Sequence, residues 1–155
     1  MEQKINEWHE VCTQKDIDDI LDTYGGFHDA CIVSVNFASG MHVDSANAMH
    51  FDEYDTYTLN IVFHSQWSNY ALELHFAGLR RLHLVGVQDN YTNEIFDASI
   101  KFYDNILPSK YQTPARVIVW ADRENFDIND IDSQLTEPAD TYVIAHSLKW
   151  RLIEK

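Results

Sequence analysis

Glycine and proline are scarce in this chain, with five and three residues among 155. That rules out collagen-like and low-complexity architectures. Cysteine is scarcer still. Cys12 and Cys31 are too few for a disulfide framework and read as two reduced, structural thiols. No apolar run approaches the roughly 20 residues that a membrane-spanning helix needs. The opening MEQKINEWHE has no cationic stretch followed by an apolar one, so no signal peptide is expected and the expected compartment is the cytoplasm. Bases are also few: 11 Lys+Arg stand against 25 Asp+Glu, a formal net charge of −14. A field of that sign repels nucleic-acid phosphates and anionic lipid, so neither nucleic acid nor membrane is an expected partner.

Motifs of known chemistry are missing as well. There is no G-x-S-x-G elbow, no P-loop, no dinucleotide fingerprint and no Cys–His nucleophile spacing. Their absence points away from an enzyme, and no catalytic residue, cofactor or metal is expected.

What is present fits a packed core: 45% of residues are apolar and 13% aromatic. A chain of this length can bury such a core without disulfides or a structural metal. The expected fold is α+β, one domain over 1–155, with N-terminal helices (1–26) packed on a large, curved, mainly antiparallel sheet or open barrel (27–155). Ile5, Trp8 and Cys12 recur at helical spacing, as do Ile17, Ile20, Leu21 and Tyr24. Between them Thr13-Gln14-Lys15-Asp16 has the form of a capping box with Asp in place of the usual Glu. A second helix is therefore expected from about Gln14 to Thr23, stopped by Gly25-Gly26.

From Phe27 the period becomes two. Phe27, Cys31, Val33, Val35 and Phe37 form one strand face; Tyr57, Leu59, Ile61 and Phe63 another; Leu72, Leu74 and Phe76 a third. Phe96 to Phe102 and Arg116 to Ala121 follow. The last strand, Tyr142 to Ile153, is expected to set Tyr142, Ile144, Leu148, Trp150 and Leu152 on one side. Alternation with polar residues, without intervening helical patterns, argues for antiparallel pairing. The acidic stretch from 122 to 132 lacks the glycine and terminal glutamate of a calcium loop and reads as a solvated loop.

Three polar clusters are candidate sites. Met41-His42-Val43 and Met49-His50-Phe51 flank the turn residues Asp44 to Asn47, so a hairpin is expected with His42 opposite His50. Two histidines alone make a weak metal site, and the hairpin is the preferred reading. Asp29 and His146 each fall on an otherwise apolar strand face, where each needs a partner; they are candidates for one another, as a base–orienter pair or a structural bond. A hairpin at Ala77-Gly78-Leu79 would set Glu73 beside His83 and His75 beside Arg81, lining a ligand cleft if the sheet curls.

The stretches GGFHDACIVSV, after an acidic helix, and YVIAHSLKWRLI, as a final strand, resemble small acidic single-domain bacterial immunity proteins encoded beside secreted toxins. The resemblance covers the two ends of the chain. It implies a non-enzymatic protein that binds a toxin, and it transfers no catalytic residues. Charge agrees in direction. Residues 1–78 hold 13 of the acids and only two bases, Lys4 and Lys15, a net −11, whereas residues 79–155 are at −3. The leading expectation is a soluble binding protein that neutralises a basic protein partner. Its candidate contacts are Asp16, Asp18, Asp19 and Asp22, then Asp52, Glu53 and Asp55, with Tyr54 and Tyr57 as aromatic anchors. The alternatives are a small ligand-binding or hydrolytic domain using the His-lined cleft, and an assembly component that self-associates through a strand edge.

Overall fold

The structure, a computed structural model, describes residues 4–51, 56–87, 91–107, 115–129 and 140–155. In chain order the elements are β1 (His9–Glu10), α1 (Gln14–Thr23), β2 (Ala30–Ala38), β3 (His42–Val43), β4 (Met49–His50), β5 (Thr58–Ser65), β6 (Tyr70–His83), β7 (Glu94–Ile95), β8 (Ser99–Asp104), β9 (Arg116–Ala121) and β10 (Tyr142–Glu154).

Helix α1 begins where its capping box predicts. The Thr13 hydroxyl accepts the Asp16 N–H, and the Asp16 carboxylate accepts the Thr13 N–H at 2.7 Å. The shorter Asp side chain thus closes the reciprocal pair that Glu usually makes. Ile17 and Ile20 are fully buried on the sheet side of the helix. Gly25 and Gly26 then take positive φ, and so does Phe27 at +63°. A left-handed phenylalanine is strained. Here that backbone turns its ring into the core, edge-on to Tyr24, Phe63 and Trp120 at 5.1–5.9 Å between centroids.

Among the described residues one α-helix forms, and the first expected helix is a correction. Ile5 bridges Leu152, the Val11 N–H bonds the Leu148 carbonyl, and β1 pairs antiparallel with β10. The reason lies in β10. Strand β9 covers only Tyr142–Ala145 on that side, which leaves the second half of β10 an open edge. Residues 5–11 satisfy that edge, and sheet pairing overrides the helical spacing.

The main sheet runs β7-β2-β5-β6-β10-β9-β8, every neighbour antiparallel. Its two edge strands, β7 and β8, are separated in sequence only by residues 96–98. Four residue steps span at most about 14 Å, so the edges must approach and the sheet curls into a half-barrel. The seam is held by the Ala98 N–H on the Gly26 carbonyl at 3.0 Å and by His28 Nδ1 on the Phe96 carbonyl at 2.8 Å. Inside pack Leu59, Ile61 and Phe63 of β5, Leu72, Leu74 and Phe76 of β6, and Trp120, all buried with Ile17 and Ile20 of α1. Each such side chain contributes about 1.5–3 kcal/mol on burial.

Three strand expectations are corrected by bulges. Gly78 does not turn a hairpin. Strand β6 continues through it at φ +62°, with Arg80 as the extra residue between the pairs Ile144–Arg81 and Ala145–Leu79. A positive-φ glycine serves a turn and a bulge equally, so the sequence signal is ambiguous. In β10 the core-facing side switches between Ala145 and Leu148, beside Gly78. Val143 and Ala145 join Leu148, Trp150 and Leu152 in the main core, while Tyr142 and Ile144 enter a second cluster with Val117, Val119 and Phe126. Residues 122–129 are therefore a cover over that cluster rather than a wholly solvated loop, since Phe126 is buried. In β2 a shift between Ile32 and Ser34 leaves Cys31 and Val33 exposed, and Ala30, Ile32 and Val35 face the core instead. Phe96, just before β8, is likewise exposed. Among the described residues no helix is long and apolar enough to cross a membrane.

Candidate functional site

The capping box that starts α1 also aims its outer face. With Ile17 and Ile20 inward, Lys15, Asp16, Asp19, Asp22 and Thr23 point toward the segment carrying β1, which runs along β10. Between them lies a groove of about 820 Å³. Trp150 and Leu152 form its floor, and the His9 ring stacks on Trp150 at 4.5 Å between centroids, tilted 28°. Five carboxylates line it (Glu7, Glu10, Asp16, Asp19, Asp22) against the ammonium groups of Lys4 and Lys15.

These acids are not equivalent. Asp16 is committed to the helix cap, and its bonds from Thr13 and Cys12 hold its carboxyl below the usual range. Asp19 pairs with Lys15 at 2.6 Å, which raises the lysine's pKa, and Asp18 accepts from Gln14 at 3.0 Å. Glu7 lies 3.5 Å from Lys4. Among the described residues Glu10 and Asp22 have no ion pair. They are the groove's negative charges without an ion pair, although Glu10 also acts on His75 through its charge. Of the remaining candidates, Asp52, Glu53, Tyr54 and Asp55 lie outside the described residues. Tyr57 packs edge-on against Phe37 and does not line the groove.

The residues expected to share a His-lined cleft are dispersed. Glu73 and His75 belong to one network on the sheet face away from the core. Arg151 Nε donates to Glu73 at 2.6 Å, Asn60 Nδ2 donates to Glu73 at 2.8 Å, and Asn60 Oδ1 accepts from His75 Nδ1 at 2.9 Å. Burial, then the nearby Lys149, lowers the His75 pKa, which favours the neutral ring. Trp8 covers this network, with Arg151 and Lys149 over its ring and His75 at its edge. The network is mutually satisfied and structural in character. His83 lies ten residues along the same strand from Glu73, so the expected Glu73–His83 pair does not form; its Nδ1 bonds the Asp140 carbonyl at 2.7 Å. Arg81 is exposed opposite Ile144.

Asp29 and His146 do not meet either. Asp29 accepts from Trp67 Nε1 at 3.0 Å at the start of β2, while His146 accepts from Arg80 at 3.1 Å beside Gly78, near the opposite end of β5. The hairpin expectation does match: His42 faces His50 and Val43 faces Met49. The two imidazoles stack at 4.6 Å, 6° from parallel, and His50 Nε2 lies 2.8 Å from the Asp44 carboxylate. Among the described residues no group of three or more His, Cys, Asp or Glu side chains is placed to hold a metal ion.

A second cavity, of about 530 Å³, escaped the sequence reading. Asp122 and Asp140 line it with Phe96, Asp97 and Glu124. Asp140 is buried and paired with Arg123 at 3.0 Å. Burial pushes the Asp122 carboxyl up to about 6. The available signal was positional: both acids flank paired strand ends, which antiparallel neighbours bring together.

Comparison with family models, with curated proteins and with solved structures finds no match to this chain. The class it represents is defined by its own geometry: among the described residues, a curled antiparallel sheet with one α-helix, and an acidic, aromatic-floored groove between that helix and the segment carrying β1.

Proposed function

We propose that this chain is a non-catalytic binding protein that takes a Lys- or Arg-bearing segment of a basic protein partner into the groove beside α1. The carrying observation is the combination found there. An aromatic floor, His9 on Trp150, lies between walls that hold the unpaired Glu10 and Asp22. A cation over an aromatic ring and beside a carboxylate is held by two additive attractions, and the net −14 steers a basic partner toward it. Occluding a basic surface is how an immunity-type protein would silence a toxin, which fits the resemblance at the chain's two ends.

The test is a titration of the protein with an Arg-rich peptide, followed by calorimetry, with the Gln-for-Arg peptide as control. Binding should be strongest at low salt and should weaken in the Glu10→Gln/Asp22→Asn double variant. Equal affinity of that variant, or of the control peptide, would remove the groove from consideration.

A further inference from the structure

The region richest in exposed apolar side chains is nowhere near the groove. Val33 and Phe37 of β2, Met41, Val43 of β3, Met49 of β4 and Phe51 all stand exposed, Phe51 at 72%. They cluster in sequence around the outer end of β2 and the β3–β4 hairpin. Strand β2 pairs with β5 along its whole length, but its other side meets β7 only at Ala30 and Cys31, with one further bond from the Ile32 N–H to the Asn93 carbonyl. Among the described residues, Ser34–Ala38 therefore have no strand on their outer side. A row of unsatisfied N–H and C=O groups next to exposed apolar side chains is a template for another strand.

The charge pattern indicates what that strand is. From Ala30 to Phe51 the only Asp, Glu, Lys or Arg is Asp44, in a chain where such residues make up 23%. No lysine, proline or inward charge blunts the edge between Ala30 and Met41, and the one bulge of β2, at Ile32–Ser34, lies before the open stretch Ser34–Ala38. A basic partner finds nothing to attract it here. A second copy of the chain finds an edge that is self-complementary, because pairing it with itself opposes no like charges. We infer that β2 pairs antiparallel with β2 of a second copy across a two-fold axis, joining the two half-barrel sheets into one. The site is separate from the groove and does not depend on its function.

The two copies each carry −14, so repulsion between them opposes this pairing until it is screened. Self-association must therefore tighten with salt, the opposite of the trend for a basic ligand in the groove. Sedimentation velocity over a concentration series, at about 0.05 M and about 0.5 M salt, reads this directly. The expected result is a monomer–dimer equilibrium shifted at least several-fold toward dimer at the higher salt. Asn36→Glu, which puts like charges across the new pairing, should abolish it. Asn69→Glu, exposed in the turn before β6, adds the same charge and should not. Circular dichroism establishes that both variants are folded. A monomer at every concentration and both salts, or a folded Asn36→Glu variant that dimerises like the parent, would overturn the inference.

Discussion

The Arg151 guanidinium sits over the ring of Trp8, 4.3 Å from its centroid, while the same guanidinium donates to Glu73 at 2.6 Å. One arginine thus ties the N-terminal segment to the spine of the sheet. Trp8 also borders the groove, so the wall that carries Glu7, His9 and Glu10 is held from the opposite face of the sheet. Replacing Trp8 by Ala removes the cation–π contacts with Arg151 and Lys149 and part of the cover over His75. The expected cost is about 1–3 kcal/mol in urea unfolding. The His75 pKa should rise toward its ordinary value as burial is relieved, which NMR titration of the imidazole reads directly. An unchanged His75 would mean that Trp8 does not shield it.

Gly78 supplies a sharper test of the bulge. Its φ is +62°, and a Cβ placed there would lie 2.9 Å from the His146 Cβ. Gly25 has a similar φ of +58° but open space around it. Gly25→Ala should therefore cost only the left-handed penalty of about 1–2 kcal/mol. Gly78→Ala adds a steric clash inside the longest strand pair and should cost about 2 kcal/mol more than that. Equal losses in the two variants would show that β10 can move away from Gly78 freely.

Local chemistry was legible in the sequence wherever one residue type has one use. The capping box at Thr13–Asp16 and the hairpin turn at Asp44–Asn47 formed as read, and the alternation of Leu59, Ile61 and Phe63 gave a buried face. Signals with two uses failed. Gly78 lies inside β6 although its type also suits a turn, the bulge at Ile32–Ser34 inverts which side chains of β2 face inward, and in β10 the core-facing side switches between Ala145 and Leu148. Ile5 and Trp8 carry a helical spacing that a vacant edge on β10 overrides. The acids of α1 are visible in the sequence as a charged face because charge is a local property. The groove's aromatic floor is not, because His9 and Trp150 meet only through long-range pairing.

Asp122 should make stability depend on pH in an unusual direction. Its folded pKa, about 6, exceeds the ordinary 3.8 because burial disfavours the charged form. The folded state therefore binds the proton more tightly than the unfolded state does. Its stabilising contribution is complete below about pH 4 and is lost as pH rises through about 6, a change of about 2–3 kcal/mol. Asp122→Asn keeps an oxygen to accept the Thr141 N–H and removes the charge. It should be more stable than the parent at pH 7, with a flatter profile between pH 4 and 7 by denaturant titration. A parallel profile for the two proteins would show that the carboxyl is ionised without penalty.

The groove acids should separate into those that hold the helix and those that hold a ligand. Asp16 spends its carboxylate on the Thr13 hydroxyl and on the N–H groups of Cys12 and Thr13, which keeps its pKa low; the stability it confers is present above the ordinary carboxylate range and is lost as pH falls through the depressed folded value. Thr13→Ala removes the other half of the box and should cost about 1 kcal/mol. Asp16→Asn should likewise lower the unfolding midpoint and change peptide affinity little beyond the loss of one charge. Asp22 makes no such bonds. Asp22→Asn should leave the midpoint nearly unchanged and weaken the Arg-rich peptide several-fold at low salt, with the difference shrinking as salt is added. Measuring melting and binding on the same two proteins gives a crossed pattern if Asp22 faces the ligand. Parallel losses in both measurements would mean that the acidic wall acts through helix stability alone.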